Sequence, residues 1–159
     1  MTMRGRARTP SRSLAAALAV VIVVIVGGCG DREGPSLDAR PNLGITADDS
    51  EYGTMLFDER GQAIYLFDKE TSDSPACYDD CASEWPPVLT EGPPEADGEI
   101  DDALLGTTER EDGSVQVTYN GHPLYFYADE DPGEVLCHDV DDFGGTWLVV
   151  TPEGEPAPT

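Results

Sequence analysis

Apolar residues occur in two patterns along this chain. Leu14 to Val26 is an unbroken apolar run after a basic start, whereas later apolar or aromatic runs are short and separated by polar turn residues. The long run falls short of the roughly 20 residues that a helix needs to cross a bilayer. A basic start followed by such a run is typical of a secretory signal.

Val26-Gly27-Gly28-Cys29 directly follows the apolar run and resembles the lipobox of bacterial lipoproteins. The resemblance implies a signal peptide over residues 1–28, cleavage before Cys29, and a diacylglycerol thioether on that cysteine. The expected location is the extracytoplasmic side of the cell membrane, with the lipid as the contact to the membrane. The alternatives are an ordinary cleaved signal and an uncleaved anchor helix, neither of which requires a cysteine here.

The short runs predict β-strands joined by tight turns. Thr54 to Phe57 and Ala63 to Phe67 lie on either side of Asp58-Glu59-Arg60-Gly61, which suits a hairpin. Val115 to Tyr119 alternates between apolar and polar residues, and Asn120-Gly121 follows it directly. Asn-Gly between two such runs is the strongest short hairpin signal.

The chain also contains an internal repeat. Gly61-Gln62-Ala63-Ile64-Tyr65-Leu66-Phe67 aligns with Gly121-His122-Pro123-Leu124-Tyr125-Phe126-Tyr127 at an offset of 60, and Trp85 and Trp147 begin further apolar runs at nearly the same offset. Repeated strand-and-turn units of this kind predict one all-β domain. We expect a small antiparallel domain of two hairpin-containing repeats, sandwich-like or barrel-like, with a short helical turn near Cys77 to Trp85.

Composition sets the expected boundaries of this domain. Gly, Pro, Asp and Ser predominate over residues 29–51, which are predicted to be the lipidated cysteine and a flexible acidic linker. The two-repeat β domain is expected over residues 52–151, with repeats at about 52–90 and 104–151. Residues 152–159 are rich in Pro and Gly and are predicted to be a flexible tail.

Charge narrows the possible partners. Removal of residues 1–28 leaves five basic against 32 acidic residues. So acidic a surface repels nucleic acid and anionic lipid headgroups, which excludes nucleic-acid binding. Cations, or a cell-envelope protein or polymer, remain as partners beside the membrane contact through Cys29. Solubility, or adaptation to salt, is the simpler interpretation of the charge.

Several segments together resemble the "secreted repeat of unknown function" family of predicted bacterial and archaeal lipoproteins. They are the two Tyr-x-aromatic strands, Cys77 to Pro87 and Gln116 to Tyr125, and the resemblance spans about residues 52–152. The family carries a Tyr-x-[Phe/Trp/Tyr]-x-x-Asp motif, which the resemblance places at Tyr65, Phe67 and Glu70 and at Tyr125, Tyr127 and Glu130. Glutamate in place of aspartate keeps the charge and lengthens its reach. The resemblance implies a fold and a location, and no established reaction.

The cysteines allow several pairings. Thiols outside the cytoplasm tend to oxidise, and the spacing of Cys77 and Cys81 permits a disulfide between them. Because Cys29 carries lipid, Cys137 is then unpaired. The alternatives are a bond from Cys137 to one of the other two cysteines, an intermolecular bridge, or a reactive thiol.

Metal binding is the alternative function. Cys137-His138 stands where the family tends to carry Gly or Asn, and with Cys77 and Cys81 it forms a candidate copper or zinc ligand set. Adjacent side chains point apart in an extended chain, so both residues ligate only if the backbone bends. Asp139-x-Asp141 begins like a calcium-binding EF-hand loop, but Phe143 holds its fifth position. A calcium site of another kind is a further possibility, and no other cofactor is predicted.

The remaining motifs do not indicate catalysis. Phosphate-binding loops, nucleophile elbows and C-x-x-C redox pairs are all missing from the sequence. The recurring aromatic residues are interpreted as core, with an aromatic surface for a sugar, polymer or cofactor as the alternative. We therefore expect a lipid-anchored, non-catalytic binding or structural module rather than an enzyme, and a metal-binding or thiol-redox lipoprotein is the alternative.

Overall fold

The structure, a computed structural model, describes residue 40 and residues 42–159, which belong to one compact unit. The signal peptide over residues 1–28, Cys29 and the first part of the predicted linker lie outside the described residues. Within the described part of the chain, no helix is long and apolar enough to cross a membrane.

The described residues form short strands with little helix, as predicted. The strands are β1 Gly44–Ser50, β2 Gly53–Asp58, β3 Tyr65–Phe67, β4 Glu95–Ala96, β5 Leu105–Glu109, β6 Val115–Tyr119, β7 His122–Pro123, β8 Val140–Asp142 and β9 Gly145–Val149. The helix α1 spans Asp80–Glu84, which confirms the helical turn expected between Cys77 and Trp85. A single 3-10 turn covers Asp102–Leu104.

These strands make three small sheets in a sandwich-like arrangement. Their orders are β2-β1-β4, β3-β9-β8 and β5-β6-β7. All pairs are antiparallel except β1 with β4, which run parallel over two residues. The two-repeat all-β prediction is confirmed, and this parallel pair is the one departure from an antiparallel arrangement among the described strands.

The two repeats are interlocked rather than side by side. In the first repeat, β3 pairs with β9 of the second repeat, so that Tyr65 lies opposite Val149. In the second repeat, Tyr125 bridges Pro87 of the first, and the N–H of Val88 donates to the carbonyl of Leu124. Each repeat thus completes the sheet of the other with its tryptophan-containing segment.

Two hydrophobic clusters fill the interior. One is mainly aromatic and includes Tyr65, Phe67, Trp85, Tyr125 and Trp147. The other is mainly aliphatic and includes Leu43, Ile45, Leu56, Ile64, Leu66, Val88, Val117, Leu124, Leu148 and Val150. Both clusters consist entirely of described residues, so this part of the chain has the core that independent folding requires.

The structure corrects both predicted boundaries of the domain. The expected linker over residues 29–51 is wrong from Gly44 onward, because Gly44–Ser50 is a seven-residue strand paired along its length with β2. The expected flexible tail over 152–159 folds back instead: Ala157 is buried and its N–H donates to the carbonyl of Val149. Polar composition concealed both segments, since each contributes few apolar side chains.

Candidate functional site

The tyrosines of the two repeats face each other across a backbone pair. The N–H of Tyr65 donates to the carbonyl of Tyr125 and the reverse bond is also made, both at 2.9 Å. Glycine with positive φ precedes each tyrosine strand: Gly61 has φ 85°, and Asn120-Gly121 has φ 49° and 79°. Two positive φ values in sequence identify the predicted Asn-Gly hairpin turn.

Each tyrosine hydroxyl binds the glutamate of the other repeat. Tyr65 Oη donates to Glu130 Oε1 over 2.6 Å, and Tyr125 Oη donates to Glu70 Oε1 over 2.7 Å. Four of the six predicted motif residues therefore form one reciprocal cluster, here called the Tyr–Glu brace, made of Tyr65, Glu70, Tyr125 and Glu130. Each tyrosine lies near the glutamate of its own repeat in the sequence motif, but in the structure it bonds to the glutamate of the other repeat.

The same carboxyl groups also hold the loops that follow them. Glu70 Oε1 accepts the N–H of Ala76 at 2.5 Å, and Glu130 Oε1 accepts the N–H of Leu136 at 2.6 Å. In both repeats the accepted N–H lies six residues beyond the glutamate. Each glutamate thus joins its own loop to the tyrosine of the other repeat.

Burial controls the protonation of the Tyr–Glu brace. Glu70 and Glu130 are only 3% and 2% exposed, and burial raises the pKa of both carboxyl groups. Burial, followed by the charge of the partner glutamate, also raises the pKa of Tyr65 and Tyr125 well above the ordinary value for tyrosine. Both tyrosines therefore keep their protons near neutral pH and act as hydrogen-bond donors.

The two halves of the brace differ in the second carboxyl oxygen. Gln62 Nε2 donates to Glu130 Oε2 at 3.3 Å and to the Glu130 carbonyl at 3.1 Å. In the other half, Glu70 Oε2 has no hydrogen-bond partner among the described residues. The residue equivalent to Gln62 is His122, whose Nδ1 likewise lacks a partner in this part of the chain. The glutamate of the second repeat is therefore more fully hydrogen-bonded by the first repeat than the glutamate of the first repeat is by the second.

Arg110 and Gln116 were missed by the sequence analysis. Arg110 is buried, with one terminal nitrogen donating to Gln116 Oε1 at 2.6 Å and the other to the Cys77 carbonyl at 2.7 Å. Gln116 in turn donates to the carbonyl of Leu124 at 2.7 Å. The one available signal was a glutamine inside an alternating strand, at a position where such a pattern normally carries a solvent-facing residue.

Three aromatic rings stack in the interior, and a fourth, partly buried ring contacts the end of the stack. Trp85 and Trp147 stack with centroids 4.0 Å apart and planes 2° from parallel, and Phe67 stacks on the far face of Trp147 at 4.2 Å. Tyr127 contacts Trp85 at 5.0 Å in a tilted arrangement. Both tryptophans are buried. The interpretation as core is confirmed for Phe67, Trp85 and Trp147, which are too enclosed to form an aromatic binding surface, whereas Tyr127 is partly buried and packs against this core.

The predicted disulfide is present. Cys77 and Cys81 are joined, with Cα atoms 5.3 Å apart. Cys137 has a free thiol and is 9% exposed. Burial, and then the charge of Glu130, raises the pKa of this thiol to about 11. The thiol is therefore protonated near neutral pH, and protonated thiols are poor nucleophiles and poor metal ligands.

The structure does not assemble the candidate metal ligands. His138 Nδ1 accepts the N–H of Val149 at 3.3 Å, so Nε2 carries the proton and donates to the carbonyl of Pro158 at 3.1 Å. Cys77 and Cys81 are bonded to each other and are not free to ligate. Among the described residues, no group of three or more His, Cys, Asp or Glu side chains is arranged to hold a metal ion.

The acidic residues near β8 support the adjacent hairpin. Asp141 Oδ1 accepts the hydroxyl of Thr146 at 2.8 Å across the β8–β9 pair. Asp142 Oδ2 accepts the indole N–H of Trp85 at 3.3 Å. These two carboxylates therefore take part in hairpin and core contacts rather than in a shared site.

Two concave regions of the surface are relevant to binding. A cleft of about 480 Å³ lies beside β1 and is lined in part by Asp48, Asp49, Glu51 and Glu59. A groove of about 490 Å³ runs beside β5 and is lined by Glu91, Gly92, Pro93, Pro94, Asp102, Leu105, Gly106, Thr107 and Val115. We call the second region the β5 groove.

Comparison with known proteins gives one match. Residues 46–89 and 106–151, more than half of the chain, match a family model described as a secreted repeat of unknown function. No curated protein and no solved structure is significantly similar to the chain. The two matched segments coincide with the interlocked repeats of the structure. The chain therefore belongs to the secreted repeat of unknown function family, and it carries two copies of the repeat.

Proposed function

We propose that this protein is a lipid-anchored envelope protein whose folded domain is a non-catalytic binding or structural module. The observation that carries the proposal is the Tyr–Glu brace, in which the most chemically capable side chains of the repeats are buried and hydrogen-bonded to each other. Side chains that are buried and hydrogen-bonded to each other in this way stabilise the fold of a scaffold. The surface of the scaffold, with its strands and loops, is left for contacts with partners.

The burial and hydrogen bonding of two other reactive side chains support a non-catalytic role. Cys137 is buried with a raised pKa, and both ring nitrogens of His138 are held by backbone groups. A general base or nucleophile needs a position within hydrogen-bond reach of a substrate. The burial of Cys137 and the two backbone contacts of the His138 ring support this part of the proposal.

The anchor is supported by the sequence around Cys29 and by the family match. The residues before Cys29 resemble a lipobox, and the family is described as secreted. A lipid anchor with more than one acyl chain binds a membrane stably, whereas a single chain binds only marginally. The acidic domain then stands at the extracytoplasmic face of the membrane.

Metabolic labelling in a bacterial host tests the anchor. The wild-type chain and Cys29→Ala are expressed with radiolabelled palmitate, and Cys137→Ala serves as a matched control for loss of another unpaired cysteine. We expect label and membrane fractionation for the wild type and for Cys137→Ala, and neither for Cys29→Ala. An unlabelled wild-type protein, or a labelled Cys29→Ala protein, contradicts the proposal.

A further inference from the structure

The outer edge of β5 carries backbone groups without partners in the described part of the chain. In the β5–β6 pair, Thr107 lies opposite Val117, and Val117 directs its N–H and carbonyl away from β5, to Val88 and Leu124. The N–H and carbonyl of Thr107 consequently point outward, because bonding direction alternates along an antiparallel strand. An outward row of this kind is a template for an additional strand.

In the first repeat, another strand covers the equivalent edge. Its equivalent strand is β1, and β4 lies along the outer side of β1 in parallel orientation. The carbonyls of Leu43 and Ile45 there accept the N–H groups of Glu95 and Asp97, at 2.9 and 2.8 Å. The segment that follows the first repeat thus supplies a strand. The segment that follows the second repeat folds onto Val149 instead, and no described strand lies along the outer side of β5.

The β5 groove provides the side-chain surface for such a strand. Pro93, Pro94 and Leu105 give it apolar walls, and Val115 is 36% exposed at its margin. Natural edge strands are commonly protected by Lys, Pro or a bulge. The β5 sequence, Leu-Gly-Thr-Thr-Glu, contains neither Lys nor Pro.

The charge around the β5 groove indicates which kind of segment it would attract. Two carboxylates, Glu91 and Asp102, line the groove, and none of the described residues that line it is basic. The nearby Arg110 is buried and bonded to Gln116 and Cys77. A second copy of this strongly acidic domain would meet charge repulsion along the same edge. A basic segment would be attracted to it.

We propose that β5 binds an extended, basic segment of a partner protein, which adds to the sheet as a further strand with its apolar side chains in the β5 groove. Strand addition draws affinity from backbone hydrogen bonds and specificity from alternate side chains. The inference rests on the proposed role as a binding module and names the class of partner. It does not depend on the lipid anchor, so a failure here is distinguishable from a failure of anchoring.

Nuclear magnetic resonance titration tests the site. The ¹⁵N-labelled chain over residues 30–159, which contains the whole described core, is titrated with a synthetic octapeptide of alternating lysine and valine. Controls are the same peptide N-methylated at alternate positions, in both registers, and an octapeptide of alternating glutamate and valine. We expect shifts centred on Leu105 to Glu109, weaker at high salt because exposed charges are screened. We also expect binding to be lost on methylation in one register only.

A matched pair of proline variants tests the strand edge. Thr107→Pro removes the outward donor without breaking a β5–β6 bond, since proline is tolerated at such edge positions. Thr54→Pro is the control, because Thr54 is an exposed residue of β2 in the other repeat, and its backbone groups, like those of Leu56, face away from β1. We expect affinity for the basic peptide to fall about tenfold or more in Thr107→Pro and to be unchanged in Thr54→Pro, with both variants folded by circular dichroism.

Four outcomes overturn the proposal. They are shifts away from β5, equal binding by Thr107→Pro and the wild type, and equal binding of the acidic and basic peptides. The fourth is a concentration-dependent dimer without peptide that Thr107→Pro abolishes, which would assign the edge to a second copy. If Thr107→Pro fails to fold, the register dependence of the methylated peptides decides the same question on the wild-type chain.

Discussion

The hydroxyl of Tyr65 donates to the carboxyl of Glu130 over 2.6 Å, although the two residues are 65 positions apart in the chain. A second bond, from Tyr125 to Glu70, repeats the relationship with the roles of the two repeats exchanged. A tyrosine and a glutamate that look like one local motif therefore belong to two different pairs. The motif joins the repeats to each other, and its buried bonds identify it as part of the scaffold.

Glutamine substitution distinguishes the two halves of the brace. In Glu130→Gln the new amide group meets Gln62 Nε2, so two donors face each other, whereas Glu70 Oε2 has no partner to lose. We expect Glu130→Gln to lower the free energy of unfolding by about 1 to 3 kcal/mol, and to cost more than Glu70→Gln. Urea unfolding of both variants gives the comparison. Equal effects of the two substitutions would argue against the Gln62 contact.

The pH dependence of stability tests the burial of Glu70. Burial raises its pKa in the folded state above the ordinary 4.5, so folding favours its protonated form. That contribution is fully present below the unfolded pKa and is lost as pH rises through the raised folded pKa. We expect the wild type to lose stability relative to Glu70→Gln as pH rises above 4.5. Urea unfolding of both proteins across this pH range measures the difference in their free energies of unfolding. A difference that does not change with pH would contradict the prediction.

Interlocking predicts that neither repeat folds alone. The sheet formed by β3 needs β9 from the other repeat, and Tyr125 needs the segment around Pro87. We expect fragments over residues 30–98 and 99–159 to lack near-ultraviolet dichroism separately and to regain it when mixed. Mixing one fragment with a second portion of itself is the control. A folded single fragment would show that the repeats are autonomous.

The thiol of Cys137 should be unreactive until the protein unfolds. Its pKa of about 11 lies two units above the ordinary value of 9.0. The thiolate fraction, and with it the labelling rate, is then about 100-fold lower than for an exposed cysteine, before burial slows access further. Residues 30–159 should release one equivalent from a thiol-specific reagent in concentrated guanidinium chloride, and Cys137→Ser none. Three equivalents without reductant would contradict the disulfide.

Phe143 occupies a turn position better suited to asparagine. Phe143 and Gly144 have φ 50° and 80°, close to the 49° and 79° of Asn120 and Gly121. Left-handed backbone is costly for a bulky residue, and asparagine tolerates it well. We expect Phe143→Asn to raise the free energy of unfolding by about 0.5 to 1 kcal/mol. Phe143→Ala, which keeps most of the backbone cost, should show no such gain by the same urea assay.

Local sequence signals predicted much of this fold correctly. Asn120-Gly121 marks a hairpin because few residue pairs accept two positive φ values, and Cys77 and Cys81 pair because they are four residues apart. Signals of this kind act over a few residues. Gly44–Ser50 gave a weaker signal, since its one fully buried side chain is Ile45 and its pairing with β2 is decided by neighbours rather than by its own composition.

The sequence by itself determined the repeated strand units, the hairpin turn and the family, and it favoured the Cys77–Cys81 disulfide among several pairings that it allowed. Tertiary structure alone decided that Tyr65 pairs with Glu130 rather than with Glu70, and that Tyr125 pairs with Glu70 rather than with Glu130. Among the described strands, it also left the outer edge of β5 unpaired, whereas β4 covers the equivalent edge of β1. The physical reason is distance along the chain. Turn and strand preferences are set by neighbouring residues, whereas these pairings depend on which surfaces meet when segments about 60 residues apart pack into one core.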